Sequence, residues 1–437
     1  MKERSGTTAV ERTDAALAAI ASHNARTNAF ILVDAEGARA QALALDQAQK
    51  TGDDLGGGRR PLQGVTVSIK DLIDIAGQPT TAGSRVLQHN VAAADAPVIT
   101  RLRDAGAVIV GKTNLHEFAL GTTSEDSGFG AVHHPLDPSR SPGGSSGGSA
   151  VAVATGMSEM SVGSDTGGSI RIPSSICGLV GLKPSAHDVP KDGVIPLSST
   201  FDHVGPITKS VEAAAAMWRV LADQPDTIVT TPGPKEFSLG RLTGYFLEPL
   251  ESTVRAAFDA AIAKLRDSGI QITDHQIADS SAIHPTYVDV VLPEAAAWHA
   301  KYLDTRGALY TPNVRARLIA GRDISAVTYF TAIQACESYR AQVDLLLSRV
   351  DALVLPTLPI TAPVLGQGEI AIDGQRINVR AAMLRNTQLF NMTGHPAISL
   401  PMPVPAGVLP CGLQIVGRLD RTAELLAIAA ACEKIIS

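Results

Sequence analysis

Gly143-Gly144-Ser145-Ser146-Gly147-Gly148-Ser149, running straight into Ala150-Val151-Ala152-Val153-Ala154, is the stretch on which the reading of this chain turns. By composition alone it could be a flexible Gly/Ser linker. Its brevity and its apolar continuation weigh against that, because glycine at this density inside core-forming sequence marks special backbone angles or a close approach. Just downstream lies Gly163-Ser164-Asp165-Thr166-Gly167-Gly168-Ser169-Ile170-Arg171. Acyl transfer needs backbone N–H groups converging on a developing oxyanion, and a Gly-rich turn exposes them beside a serine; an ordinary turn is the plainer alternative. Upstream, Val65, Val67 and Ile69 alternate as one face of a strand that ends at Lys70. Most lysines are solvated. One held at a buried strand end has a lowered pKa, and its neutral amine is free to act as a base.

Further outward, residues 8–50 read as helical, with Leu17, Ile20 and Ala21 at helical spacing, and Asp53–Arg60 as a polar Gly-rich loop. Residues 95–105 predict a helix and Ala107–Val110 a short buried strand. Residues 150–154 fit either helix or strand. Amphipathic helices are expected over 210–223 and 251–268, a long helix over about 327–348, and a strand at Ala352–Leu355 stopped by Pro356. Helices alternate with short buried strands, which is the pattern of an α/β layered fold. There is no internal repeat. The expectation is one domain over 1–437, with N-terminal helices over about 8–50 and a core over about 61–210. The Pro/Gly-rich stretch 226–240 is the best candidate boundary, leaving room for a substrate-specificity subdomain over about 240–350.

Composition excludes several classes. With 45% hydrophobic and 18% charged residues the chain is globular rather than disordered. A net charge of −6 argues against nucleic acid as a partner. Cys177, Cys336, Cys411 and Cys432 form neither a disulfide framework nor a zinc site. No apolar run approaches the roughly 18–20 residues that span a bilayer, and no signal-type apolar segment follows Met1, so a cytoplasmic location is expected. The eleven histidines fall into no metal-binding spacing, and His133-His134 reads as a solvated loop pair. Gly106–Thr113 satisfies the pattern of a phosphate-binding loop, but its four middle residues are strand formers, so the mechanism of that motif fails.

Taken together, GGSSGGSA, GSDTGGSIR and Cys177-Gly-Leu-Val-Gly-Leu-Lys-Pro-Ser185 resemble the amidase signature family, and the segment Val65–Asp71 resembles its lysine strand. Ser145 and Ser169 stand 24 positions apart, and Lys70 precedes Ser145 by 75, separations that suit the family. The likeness is strongest over about 61–210. It continues more weakly through Leu355-Pro356-Thr357, Gly394-His395-Pro396-Ala397 and Gly412–Gly417. It implies an α/β fold with a large mixed twisted β-sheet covered by helices on both faces. It also implies an amidase in which Ser169 is the nucleophile, Ser145 (in a cis peptide) relays its proton, and Lys70 is the base. Backbone amides of Thr166, Gly167, Gly168 and Ser169 would form the oxyanion hole, and Asp165 and Arg171 would brace the site. A surface salt bridge is the plainer alternative for Arg171.

The resemblance calls for no metal and no organic cofactor. Its partner is a small-molecule amide, with aryl, aliphatic, urea-like and carbamate substrates all open, and a homodimer is also left open. One branch of the family is the glutamine-hydrolysing catalytic subunit of a tRNA-dependent amidotransferase, for which this chain reads as short. The sequence departs from the family's usual text at His134, Ser174 and Ser185-Ala186-His187-Asp188. The acyl pocket is expected from Glu117–Gly130 and the C-terminal third, with Phe118, Leu120 and Phe129 as lining or as core.

Overall fold

The structure, a computed structural model, describes residues 7–51 and 60–437; the expected loop at Asp53–Arg60 lies outside them except for Arg60. The strands are β1 (Phe30–Val33), β2 (Thr66–Lys70), β3 (Val108–Thr113), β4 (Met160–Asp165), β5 (Val180–Lys183), β6 (His203–Thr208), β7 (Ser238–Leu242), β8 (Gln271–His275), β9 (Ala352–Pro356), β10 (Glu369–Ile372), β11 (Gln375–Asn378), β12 (Ala397–Pro401) and β13 (Gly412–Val416). Eleven of them form one mixed sheet in the order β1-β3-β2-β4-β6-β5-β12-β13-β9-β7-β8, flanked by helices. The strands β10 and β11 make a separate hairpin. Strands on both sides of 226–240 belong to the same sheet, β5 pairing with both β6 and β12.

The central strands are buried along their whole length, and β9 accordingly reads as an apolar run, whereas β2 keeps an alternation because its small and polar residues are buried as well. Residues 8–50 are not continuously helical. Helices Ala9–Thr27 and Ala35–Thr51 flank β1, whose run Phe30-Ile31-Leu32-Val33 suits an edge strand paired with β3. The first helix opens on a capping box between Thr8 and Glu11 and ends at Asn28 in the left-handed region. The ambiguous stretch 150–154 is helical, within Gly147–Ala154; that helix is buried almost all round, so no amphipathic period betrays it. The other predicted helices and strands fall where expected: Pro97–Asp104, Val211–Leu221, Ser252–Asp267, Ala326–Leu347, β3 and β9.

His133-His134 needs correcting. His134 is fully buried, its Nε2 donating to the Ile176 carbonyl at 3.1 Å. The departures at Ser174 and 185–188 are structural. Ser174 Oγ donates to the Ile170 carbonyl at 2.8 Å. The Thr422 hydroxyl donates to Asp188 at 2.6 Å, clasping the C-terminal segment. All four cysteines are free and buried. Among the described residues no helix is long and apolar enough to cross a membrane, and no group of His, Cys, Asp or Glu could hold a metal.

The residues resembling a phosphate loop form β3, and Lys112 points into the interior. Its ammonium meets Asp71 Oδ1 at 2.9 Å, with both side chains sealed from water. It also donates to the Pro79 carbonyl and Thr80 Oγ1 at 3.0 and 3.2 Å. Burial pushes the Asp71 carboxyl pKa up, against the opposing pull of Lys112. Removing one partner of such a pair leaves an uncompensated buried charge, typically costing about 3–5 kcal/mol. Lys112→Met should therefore lower the urea-unfolding free energy by about that much, and adding Asp71→Leu should restore most of it. An unchanged unfolding midpoint in Lys112→Met would contradict the pairing.

Candidate active site

Strands β3, β2 and β4 run parallel side by side, so Lys70 and Asp165 end neighbouring strands at the same edge of the sheet. Ligands of α/β sheets gather outside such carboxyl ends. From Asp165 the chain makes the glycine turn Thr166–Ser169 and enters helix Arg171–Ile176. The Gly144–Ser145 peptide is cis, and helix Gly147–Ala154 follows it.

Lys70 is fully buried, and its Nζ donates to Ser145 Oγ at 2.7 Å and to Ser164 Oγ at 2.8 Å. It forms no ion pair among the described residues. Burial lowers its pKa to about 7, against the opposing pull of Asp165 and Asp202. The Ser145 carbonyl accepts from the His116 N–H at 3.1 Å and Ser124 Oγ at 3.2 Å, which pins the cis-serine from behind. Ser169 approaches through the backbone, its carbonyl accepting from the Ser146 N–H at 3.3 Å. Ser169 is 5% exposed, and its hydroxyl makes no hydrogen bond among the described residues. Lys70 and Ser145 thus meet directly, whereas Ser145 and Ser169 are neighbours without a bond between their hydroxyls.

Asp165 organises the turn. Its carboxylate accepts from the N–H groups of Gly168 at 2.8 Å and Ile170 at 3.1 Å. It also takes Nε and Nη2 of Arg171 at 3.1 and 2.9 Å, and Asn391 Nδ2 at 2.8 Å. Burial alone would raise its pKa, but Arg171 and these donors hold it below the ordinary carboxylate range. Arg171 is fully buried, not a surface ion pair, and also donates to the Thr387 carbonyl, Gln414 Oε1 and Asn391 Oδ1 at 3.0, 2.7 and 2.6 Å. Beside the turn, the Thr166 hydroxyl donates to Asp202 at 2.5 Å, and burial pushes the Asp202 carboxyl up to about 6.

The Amidase family profile matches residues 11–426. This chain belongs to the amidase family.

Among relatives of this amidase-family chain, the A-type subunit of the glutamyl-tRNA(Gln) amidotransferase of Roseiflexus sp. is 34% identical, over 98% of this chain and 93% of that protein. Its counterpart of the same name from Chloroflexus aurantiacus is 36% identical over the same shares. The match leaves about 7% of each relative's length uncovered, so length alone does not separate this chain from them. Among solved structures, a crystal structure of an amidase is 36% identical with a TM-score of 0.92, covering 99% of this chain and 97% of that one. An inhibitor-bound complex of an s-triazine catabolic enzyme is 31% identical, also with a TM-score of 0.92 and the same coverage.

Every site residue expected from sequence lies in this one cluster, with two refinements. The Gly168 N–H is taken by Asp165, whereas the N–H groups of Thr166, Gly167 and Ser169 have no acceptor among the described residues. In the segment Glu117–Gly130, expected to supply the acyl pocket, polar residues rather than the large apolar ones face a cavity. Thr122, Thr123, Glu125 and Asp126 line a cavity of about 520 Å³. Phe118 packs among Trp298, His299 and Tyr310, and Phe129 lies under Arg85. Sequence reasoning misses Ser164, Asp202, Thr387 and Asn391. Gln414 does lie within the Gly412–Gly417 motif, but nothing in that motif points to Arg171.

Gly168 has φ +134°, and a Cβ on it would run into the Thr387 side chain. Overpacking of this kind costs roughly 1–3 kcal/mol. Gly168→Ala should lower the denaturation midpoint accordingly and depress activity as well. A variant with an unaltered midpoint would show that the turn yields.

Proposed function

We propose that this chain hydrolyses a carboxylic amide C–N bond through an acyl-enzyme on Ser169. The carrying observation is Lys70, a buried amine bonded to two hydroxyls and to no carboxylate among the described residues. With its pKa near 7 a large share of it is neutral at neutral pH and can accept a proton. The Ser169 hydroxyl swings toward Ser145 Oγ, hands over its proton as it attacks the amide carbon, and Ser145 passes its own proton to Lys70. Apo sites commonly hold such bonds open until substrate arrives. The oxyanion is held by the free amides of Thr166, Gly167 and Ser169, while the Gly168 amide, bonded to Asp165, fixes the turn. Lys70 then returns its proton to the departing nitrogen as the C–N bond breaks, and water attacks the ester by the reverse route. Asp165 and Arg171 position the turn and touch no reacting atom.

A second reading keeps this chemistry but makes glutamine the substrate and a companion protein the recipient of ammonia. Its support is the likeness to the amidotransferase relatives over 98% of the chain. A panel of neutral amides, anionic amides, carbamates, ureas and glutamine separates the two. Preference for glutamine over all others would favour the second.

Ser169→Ala should lose on the order of 10³–10⁶-fold in kcat on the best amide, as for loss of a hydrolase nucleophile. A variant with wild-type turnover would remove Ser169 from the mechanism. The pH dependence has a definite sign. Neutral Lys70 is the active form and its folded pKa is lowered to about 7, so kcat/KM should fall about tenfold per pH unit below 7 and level off above. A profile flat from pH 5 to 8 would contradict Lys70 as the base.

A further inference from the structure

Arg380 has no hydrogen-bonding or ion-pair partner among the described residues. It lies in helix Val379–Leu384 on the wall of the 520 Å³ cavity, and its Nε is sealed from solvent with no acceptor. A guanidinium carries five donors and keeps its charge at any physiological pH, so leaving one buried and unmatched is costly. Other arginines of this protein are matched: Arg171 as above, and Arg385 by the carbonyls of Tyr245 and Glu248 at 2.9 and 2.8 Å.

The cavity's own carboxylates do not serve Arg380. Asp126 accepts from Asn313 Nδ2 at 3.1 Å and lies 3.4 Å from His116 Nε2. Glu125 accepts the Gly366 N–H at 2.7 Å. A second guanidinium, that of Arg317, lines the same space while donating to the Leu120 carbonyl at 2.7 Å. The two guanidiniums repel each other across this space, and Asp126 and Glu125 offset that for Arg317.

Lys70, Ser145 and Ser169 do not line the cavity, but segments that do line it touch residues beside them. Leu384 lies one helical turn beyond Arg380 on the same helix face, about 6 Å along the axis. A Cβ on Gly167 would come within 2.9 Å of Leu384 and would strike the Tyr287 hydroxyl. Tyr287 is in electrostatic range of Arg380. Thr122 also lines the cavity, and its carbonyl carbon is 3.0 Å from where a Cβ on Gly144 would stand. The helix that carries Arg380 therefore meets the glycine turn, and Thr122 meets the residue before Ser145.

We propose that Arg380 binds a carboxylate carried by the substrate, so that this enzyme prefers monoamides of dicarboxylic acids over neutral amides of the same length. This rests on the Ser169 hydrolysis reading, with the scissile carbonyl at the glycine turn and the carboxylate in the cavity. Neither Glu125 nor Asp126 bonds to Arg380, so its unused donors are open to a carboxylate on the ligand.

The test compares malonamate, succinamate and glutaramate with propionamide, butyramide and valeramide, using the full chain. Wild type should favour the best anionic amide, chiefly through KM. Arg380→Gln should cut the anionic-to-neutral ratio of kcat/KM by about 10- to 100-fold, the scale of a hydrogen-bonded charge pair. Arg380→Lys should retain an intermediate preference, and serves alone if the glutamine variant does not fold. Calorimetric titration of Ser169→Ala with succinamate reads binding without turnover, and binding should weaken similarly when Arg380→Gln is added. Equal use of neutral and anionic amides, or a ratio and an affinity unmoved by Arg380→Gln, would overturn the carboxylate role while leaving amide hydrolysis standing. Failure of the hydrolysis reading would appear separately, as full turnover in Ser169→Ala.

Discussion

A carboxylate sealed from water, as that of Asp165 is, persists as an anion only if nearly every lone pair finds a donor. Asp165 meets that requirement with two amides of the following turn, both ends of the Arg171 fork and the side-chain amide of Asn391. Each donor comes from a different part of the candidate site or of the chain behind it. The two amides curl the glycine turn so that other N–H groups face outward. The Arg171 fork ties the turn to the helix behind it, and through Thr387, Asn391 and Gln414 to the C-terminal quarter. The site is held by satisfying one buried charge rather than by apolar packing alone.

The opposite treatment of charge operates a few residues away. Lys70 and Lys112 are both completely buried, on the adjacent strands β2 and β3. Lys112 is paired with Asp71. Lys70 meets only hydroxyls and a carbonyl, so burial acts on it without a salt bridge to oppose it, and its pKa moves to about 7. The neighbouring carboxylates Asp165 and Asp202 keep that pKa from falling further. One lysine is thereby locked in an ion pair while the other, in the proposed mechanism, is free to serve as the base, and the difference lies in the partner each is given.

Much of this is legible in the sequence, and the rest is not, for identifiable reasons. The residues from Lys70 to Arg171 announce themselves because glycine density and strand alternation are local properties. The mixed sheet follows from the alternation of helices with short apolar strands such as Ala352–Pro356. The strand Phe30–Val33 is hidden because four residues between two helices carry little periodic signal. His134 looks like a solvated loop residue because its burial depends on Ile176, 42 positions away. The partners of Arg171 in the C-terminal quarter lie 216 to 243 positions downstream, beyond any local pattern. Arg380 cannot be singled out at all from sequence, since an arginine's lack of a partner is a property of the folded chain.

The central claim is that Ser169, activated through Ser145 by Lys70, forms the covalent intermediate. The most direct measurement is peptide mapping by mass spectrometry after reaction with a fluorophosphonate, which phosphonylates activated serines. One adduct per chain is predicted, on Ser169, formed far more slowly in Lys70→Ala. An adduct on Ser145 or on any other serine, or labelling at an unchanged rate in Lys70→Ala, would contradict it.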